Sequence, residues 1–335
     1  MSDHDERGFF EAARRGIGWI VQQQRPDGSF CAPEDGMGGY YKVPYALSLA
    51  GHPRAAQRLL AWVARHHFTA SGDFRAPQRK ARGTAHDAWP AYGNAWLILG
   101  AHRAGRWDLS RRGIAFLLAA QVPAGGFCAL DGESRFLEPV CTSWGGLAAL
   151  ATGHTAAALR AGDLLTGLAR RQTDPDRFYY RMDVEGNLRT DVPAGKELQY
   201  FVDATRTGQI YFNPGIALIF LAHLYRATNE SRYLDAGKSL FDFTERCAED
   251  VHRFPPSGKL GYGSALFHAL TGDPRARRAA GSVASYLAET QTAEGFWRLP
   301  DVPVYQAIED KDGFEIRLDV TAEFSIFLME IAALL

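Results

Sequence analysis

Apolar residues recur along the chain at spacings of three and four, in stretches of two alternating kinds. The first kind has one charged face, as in FFEAARRGIGWIVQQQ at residues 9–24. The second kind is apolar on nearly all sides and rich in glycine and alanine, as in EPVCTSWGGLAALATG at residues 138–153. A helix without a polar face belongs in a protein interior. The alternation therefore predicts an all-α fold of about twelve helices in six hairpins, with the charged helices outside and the apolar helices inside.

A short phrase is repeated where outer helices end. It reads QRPDGSFC at residues 24–31, QVPAGGFC at 121–128 and QTAEGFW at 291–297. The glycine permits a sharp turn, the glutamine is expected to bond backbone groups left open at the helix end, and the aromatic is expected to pack between neighbouring hairpins. Cys31 and Cys128 hold the same place in two copies and are interpreted as packing residues, without a disulfide. The phrase is thus interpreted as a structural motif.

These glutamine–aromatic repeats resemble those of the terpenoid cyclase and protein prenyltransferase toroid superfamily. The resemblance covers the whole chain and implies an α/α toroid, or α6/α6 barrel, as one domain over residues 1–335. Other α6/α6 barrels, including glycoside hydrolases, polysaccharide lyases and sugar epimerases, are similar in layout. The DxDD acid motif, the DDxxD diphosphate motif and the DxC zinc ligands known from the superfamily do not occur in the sequence. The predicted enzyme accordingly uses neither metal nor cofactor.

The connections between helices differ in length at the two ends of the predicted toroid. Inner helices end in short glycine–proline turns such as TGDP at residues 271–274, whereas the connections that lead into inner helices are long. The longest, a loop insertion at about 173–210, is interpreted as a lid or pocket wall. All inner helices begin at the same end, which we call the mouth. Long loops on a rigid scaffold usually carry binding residues, so the functional site is predicted at the mouth.

Two pairs of polar residues have the chemistry for proton transfer. His86 and Asp87 stand immediately before the second inner helix, while Asp319 and Glu323 stand four apart in the last one and share a face. These four are the predicted catalytic residues, because histidine and carboxylates are common general acids and bases. The alternative for the first pair is that Asp87 caps the helix.

A carboxylate inside an apolar helix is costly unless it is paired or useful. Burial favours the neutral carboxyl and is expected to raise the pKa of Glu323, as a general acid or base requires. The alternative is a buried ion pair with Arg206 or Lys259. Under the catalytic interpretation, Glu323→Gln is expected to abolish activity and to leave the melting temperature nearly intact.

The predicted substrate-binding residues lie mostly where inner helices begin or in the long loop. Their many aromatic rings indicate a ligand with apolar or ring-like faces. The remaining histidines in far-end turns or helix ends, among them His223 and His268, are interpreted as structural or solvated. The predicted binding set is Tyr40, Trp89, Tyr92, Asn94, Trp144, Arg206, Tyr211, Asn213, Lys259, Tyr262 and Arg317.

Composition excludes several classes of partner. In 335 residues, 37 Lys and Arg nearly balance 38 Asp and Glu, and no basic run suggests a nucleic-acid surface. No apolar stretch is long enough to predict a membrane span, and the polar start predicts no secretion signal. The four cysteines have no metal-ligand spacing, and a cytoplasmic protein is expected. The sequence leaves the oligomeric state open.

Three functional hypotheses follow. The first is a metal-independent acid–base enzyme, of isomerase, cyclase or lyase type, that acts on a small natural product or terpenoid-like substrate bound in the mouth. The second is a carbohydrate-active enzyme, a glycoside hydrolase or a uronate epimerase or lyase, in which Asp87 pairs with Asp319 or Glu323. The third is a toroid that binds a ligand or partner without catalysis. Carboxylates facing one open cavity would favour the enzymes.

Overall fold

Six helical hairpins follow one another in the computed structural model, which describes residues 3–75, 88–132, 134–306, 308 and 310–335. Within these residues, the outer helices are α1 (Asp3–Gln23), α3 (Pro53–His66), α5 (Trp107–Ala119), α7 (Thr155–Arg170), α9 (Ser231–Thr244) and α11 (Pro274–Glu289). The inner helices are α2 (Val43–Leu49), α4 (Pro90–Arg103), α6 (Pro139–Ala151), α8 (Phe212–Thr228), α10 (Gly258–Thr271) and α12 (Phe314–Ala332). The predicted α/α toroid is confirmed.

The inner helices form a closed ring, because each packs on the next and α12 packs on α2. Their small residues allow this close approach. At Gly215 in α8, an added Cβ atom would lie 2.5 Å from the backbone nitrogen of Leu260 in α10, so only glycine fits. No helix in the described part of the chain has both the length and the apolar run needed to cross a bilayer.

The repeated phrase joins one outer helix to the next. After α5, the Nε2 atom of Gln121 donates hydrogen bonds to the carbonyl oxygens of Gly125, at 2.7 Å, and Ala157 in α7, at 2.9 Å. Arg160 of α7 donates in turn to Oε1 of Gln121. Gly125 has a φ of 98°, and a Cβ atom there would lie 2.4 Å from the carbonyl oxygen of Arg160. The structural interpretation of the phrase agrees with this geometry.

The other two copies have the same geometry. Gln24 bonds the carbonyl oxygen of Ala55 in α3 at 3.0 Å, which ties the end of α1 to α3. Gln291 bonds the carbonyl oxygen of Ala12 in α1 at 2.8 Å, which ties the end of α11 to α1. The last of these bonds connects the two ends of the chain and closes the outer layer.

Two short antiparallel hairpins occupy long connections at the mouth end. The first pairs β1 (Cys128–Asp131) with β2 (Ser134–Leu137), and the second pairs β3 (Arg177–Tyr179) with β4 (Phe201–Asp203). Leu137 and Met182 pair through their backbones and join the connection before α8 to the first hairpin. The predicted insertion at 173–210 therefore contains ordered strands, which helical periodicity did not predict.

Candidate active site

A cavity of about 140 Å³ lies at the mouth, between the first turns of the inner helices. We call it the mouth cavity. Its aromatic wall includes Trp89, Phe212 and Tyr305. Its polar lining consists of Tyr41, Lys42, Tyr92, Lys259, Asp319 and Glu323.

Helix starts and helix periodicity bring the charged groups together. Lys42 directly precedes α2, and Lys259 is the second residue of α10, so both ammonium groups lie at the mouth. Asp319 and Glu323 lie in the first half of α12, one turn apart on the same face. Tyr92 lies in the first turn of α4. The cluster therefore draws on four of the six inner helices.

The four charged side chains form a continuous network. The Nζ atom of Lys42 lies 3.0 Å from Oδ1 and 3.1 Å from Oδ2 of Asp319, and it also contacts Oε2 of Glu323. The Nζ atom of Lys259 lies 2.5 Å from Oε1 of Glu323. The hydroxyl of Tyr92 donates to Oε2 of Glu323 at 3.4 Å. Side-chain exposures of only 5, 10, 15 and 12% for Lys42, Lys259, Asp319 and Glu323 place this balanced set of charges inside the cavity.

The two carboxyl groups titrate in different ranges. Burial raises the pKa of Asp319 to about 6, against the opposing effect of Lys42. Burial also disfavours the ionised form of Glu323, but the ammonium groups of Lys259 and Lys42 together outweigh it and lower the pKa of Glu323 to about 2. The expected raised pKa of Glu323 is therefore wrong, and Asp319 is the carboxyl group poised near neutral pH.

The two lysines also differ. Burial lowers the pKa of Lys259, and Glu323 offsets this only in part because Lys42 repels a second positive charge. For Lys42, the attraction of Asp319 and Glu323 outweighs burial and raises the pKa. Lys42 is therefore a fixed cation, whereas Lys259 gives up its proton more readily. Burial keeps the pKa of Tyr92 well above its usual range, so that phenol stays protonated.

Five of the residues predicted from sequence line the mouth cavity together: Trp89, Tyr92, Lys259, Asp319 and Glu323. The ion pair offered as an alternative for Glu323 is present, with Lys259 as its partner. Both carboxylates thus face one cavity and are paired at the same time. The two alternatives stated for Glu323, a catalytic group and a buried ion pair, therefore do not exclude each other.

Other predicted binding residues lie away from the mouth cavity. The rings of Trp144 and Tyr262 line a second cavity, at the opposite end of the toroid. The guanidinium of Arg317 donates two hydrogen bonds, of 2.9 and 2.7 Å, to the carboxylate of Asp312. Its position at the start of α12 directs it outward, because it lies two residues before Asp319 and hence on another face.

Tyr40 and Asn94 support the scaffold. The ring of Tyr40 is fully buried and packs edge-on against Trp62 of α3, at 5.5 Å between centroids. The Nδ2 atom of Asn94 donates to Asp73 at 2.9 Å, and its Oδ1 atom accepts from the backbone nitrogen of Phe74 at 3.3 Å. Asn94 therefore holds the connection that follows α3.

The predicted residues Tyr211 and Asn213 at the start of α8 are buried and lie outside the lining of the mouth cavity. The hydroxyl of Tyr211 donates to Oδ1 of Asp250 at 2.5 Å, and Asn213 is buried in the first turn of the helix. Arg206 is exposed.

The described lining of the mouth cavity contains no residue of the predicted 173–210 insertion, so the interpretation of this insertion as a pocket wall is not supported there. His86 and Asp87 lie outside the described residues.

Sequence reasoning missed Lys42, which contacts both carboxylates. The signal was present, since Lys42 precedes the apolar stretch VPYALSL just as Lys259 opens another inner helix. A lysine at the entrance of an inner helix must bury its stem at the mouth. In the described part of the chain, His, Cys, Asp and Glu form no group of three or more that could hold a metal ion.

Comparison with known proteins gives fold likeness at low sequence identity. No protein-family model matches the chain, and no curated protein matches it. The chain is similar to a D-mannose isomerase, with 14% identity, a TM-score of 0.70 and all of both chains covered. It is similar to a type II terpene cyclase from Scytonema in complex with geranylgeranyl dihydroxybenzoate, with 13% identity, a TM-score of 0.62 and 99% of each chain covered.

A third solved structure, an unsaturated glucuronyl hydrolase specific for heparin, matches 98% of this chain and 97% of its own, with 10% identity and a TM-score of 0.65. All three likenesses extend over nearly the whole length. They confirm the α/α toroid, and one of them is a type II terpene cyclase.

Proposed function

We propose that this protein is an enzyme that moves a proton at a carbon atom next to a carbonyl group of a small polar substrate. The observation that carries the proposal is the mouth cavity itself, in which Asp319, with a pKa of about 6, contacts the ammonium group of Lys42, and Lys259 lines the same cavity. A general base with a pKa near the working pH is the efficient one. Isomerases and lyases that act through an enolate both begin with this step.

Three of the four charged side chains have distinct roles in the proposed reaction. Ionised Asp319 removes the proton from carbon, and negative charge then develops on the carbonyl oxygen. The ammonium group of Lys259 stabilises that oxygen and can protonate it, because its own pKa is lowered. Glu323 stays ionised and holds both lysines in place. Return of the proton to the neighbouring carbon, with the hydroxyl on the first carbon giving its proton to Lys259 as the new carbonyl forms, gives an isomerase; loss of a β-substituent with its bonding electrons gives a lyase.

The volume of the cavity favours a small substrate. Ligand pockets usually enclose at least about 300 Å³, and the mouth cavity encloses about 140 Å³. A monosaccharide-sized hydroxy-carbonyl compound suits this space better than a terpenoid. The solved structure of a D-mannose isomerase, similar in fold along the whole chain, supports the same choice, since sugar isomerisation transfers a proton next to a carbonyl group.

The network argues against the competing chemistries. Polyene cyclisation needs a neutral, strongly acidic carboxyl group, whereas two ammonium groups keep Glu323 ionised. Glycoside hydrolysis by Asp319 and Glu323 needs a glycosidic bond between them, and the ammonium group of Lys42 contacts both carboxylates. A pair that includes Asp87 involves a residue outside the described ones.

The proposal is tested by incubating the protein with aldoses, ketoses and smaller hydroxy-carbonyl compounds, D-mannose included, and following conversion by proton NMR. The wild type is expected to convert at least one compound, and Asp319→Asn to lose activity by a factor of about 10² to 10⁴. Asp301→Asn, at an exposed carboxylate, is the matched control and should retain activity. Absence of conversion across the panel would favour a toroid that only binds its ligand.

A further inference from the structure

A second and larger cavity lies at the end of the toroid opposite the mouth. It encloses about 540 Å³, within the range usual for ligand pockets. We call it the far cavity. Its wall combines aliphatic side chains with five aromatic rings from five inner helices, those of Tyr45, Trp96, Trp144, Tyr262 and Phe327.

A layer of packed rings separates the far cavity from the mouth cavity. The ring of Tyr92, which lines the mouth cavity, lies 6.2 Å from Trp96 and 5.7 Å from Trp144, between centroids. Trp96 and Trp144 lie 5.0 Å apart and turn toward the other end. The proposed chemistry at Asp319 therefore does not account for the far cavity.

The polar groups of the far cavity are unevenly charged. The exposed side chains of Arg103 and Arg226 lie at its rim, and neither forms an ion pair with another described residue. Glu330 is the carboxylate of the lining, and it accepts a hydrogen bond from Tyr45 at 3.4 Å. Burial lowers the pKa of His223 to about 4, so its imidazole is neutral near pH 7. Two guanidiniums against one carboxylate leave a surplus positive charge.

The neutral polar groups inside the cavity are paired only in part, since the buried indole nitrogens of Trp96 and Trp144 have no hydrogen-bond partner among the described residues. The Nε2 atom of His223 lies 3.0 Å from the hydroxyl of Tyr262, within hydrogen-bond distance. The interior thus offers apolar and aromatic surface with two indole N–H donors, while the rim offers two guanidiniums. The helix C-termini that meet at this end carry partial negative charge, which disfavours an anion deep inside.

We propose that the far cavity binds an apolar carboxylate, with its ring or chain against Trp96 and Trp144 and its carboxylate between Arg103 and Arg226. Guanidinium groups pair with carboxylates in a planar, often bidentate geometry. Aromatic walls match an apolar body of drug-like size. Such a ligand would be a regulator or a second substrate-related compound, held apart from the charged cluster at the mouth.

The test uses naphthoate as the probe and naphthalenemethanol as its neutral counterpart, measured by isothermal titration calorimetry. Naphthoate is expected to bind at a single saturable site, with about tenfold weaker affinity after Arg103→Gln or Arg226→Gln and a greater loss in the double variant. Both arginines are exposed, so these variants should fold. Naphthalenemethanol should bind more weakly and respond little to either substitution.

Asp319→Asn, a change in the mouth cavity, should leave the affinity for naphthoate unchanged. That result, together with the weaker binding by the arginine variants, would place the probe in the far cavity. A change of naphthoate affinity in Asp319→Asn, in either direction, would place the probe in the mouth and overturn the proposal. Absence of saturable naphthoate binding, or full retention of affinity in the double arginine variant, would overturn it as well. None of these outcomes depends on whether the protein is an enzyme.

Discussion

The ammonium group of Lys259 lies 2.5 Å from Oε1 of Glu323, a residue 64 positions later in the sequence. The contact joins two adjacent inner helices, α10 and α12, at the mouth. Neither charge could be buried here alone, because an unpaired ion in a protein interior costs several kcal/mol. The pair is therefore part of the fold as well as part of the proposed site.

Glu323→Gln is expected to destabilise the protein, in contrast to the expectation from sequence. The substitution leaves Lys42 and Lys259 buried with Asp319 as the remaining carboxylate. Removing one partner of a buried ion pair typically costs about 3–5 kcal/mol. Chemical denaturation would measure this loss, with Glu294→Gln at an exposed position as the control. An unchanged free energy of unfolding would contradict the pairing.

The double variant Lys259→Met with Glu323→Gln should lose less free energy of unfolding than the sum of the losses in the two single variants. In the double variant neither charge is left without its partner, so part of the cost disappears. Residues in direct contact usually show coupling energies of about 0.5–3 kcal/mol. A double-mutant cycle measures the coupling, and strictly additive losses would show that the two side chains do not interact in solution.

The carboxyl group of Glu138 is expected to make stability depend on pH. It accepts hydrogen bonds of 2.7 Å from the backbone nitrogens of Val140 and Cys141 at the start of α6, yet it is 2% exposed, and burial raises its pKa from 4.5 to about 7. The protonated carboxyl group stabilises the folded state. This stabilisation is fully present below the unfolded pKa of 4.5 and is lost as the pH rises through the folded pKa of about 7.

Glu138→Gln removes this titration. Between about pH 5 and about pH 8, the wild type should lose up to roughly 3 kcal/mol more stability than the variant. Urea denaturation at the two pH values measures the difference. Parallel pH dependence in both proteins would mean that Glu138 titrates near its ordinary pKa in the folded state.

The glycine of the repeated phrase can be tested against a matched glycine in open space. Gly125 and Gly153 have φ values of 98° and 83°, but a Cβ atom would meet the Arg160 carbonyl at Gly125 and nothing within 4 Å at Gly153. Gly153→Ala should cost about 1 kcal/mol for the backbone conformation alone. Gly125→Ala should cost roughly 2 kcal/mol more because of the clash. Equal losses in thermal denaturation would contradict this contact.

The fold and half of the site could be predicted because both depend on helical periodicity. The charged and apolar faces predicted the two layers, and a spacing of four placed Asp319 and Glu323 on one face. Depth along the toroid axis was harder to predict. Trp144 lies six residues after Glu138, the cap of α6, so its Cα is about 9 Å further along the axis. That displacement moves its ring from the mouth to the far cavity.

The pKa values of Asp319 and Glu323 could not be predicted from the sequence for a related reason. A pKa depends on which charges meet in space, and Lys42 reaches the cluster from 277 residues away. Spacing along α12 alone suggested that burial would dominate at Glu323. Two ammonium groups reverse that outcome at Glu323, while Asp319, which contacts the ammonium group of Lys42 but also lies near ionised Glu323, keeps the raised pKa.

The activity should rise with pH through about 6, as Asp319 loses its proton and becomes the base. It should fall again at higher pH, when Lys259, whose pKa is lowered by burial, loses its proton. The profile of kcat/KM against pH reports these groups in the free enzyme. An activity that declines through pH 6 would assign Asp319 the role of acid.

Exchange of hydrogen with solvent tests the central proposal most directly. The protein is incubated in D₂O with the compound it converts, and NMR follows deuterium at the carbon next to the carbonyl group. The wild type is predicted to incorporate deuterium there, and Asp319→Asn, folded and with Glu323 and both lysines intact, is predicted to incorporate almost none. Incorporation by Asp319→Asn at the wild-type rate would contradict the assignment of the mouth cluster as the site of proton transfer.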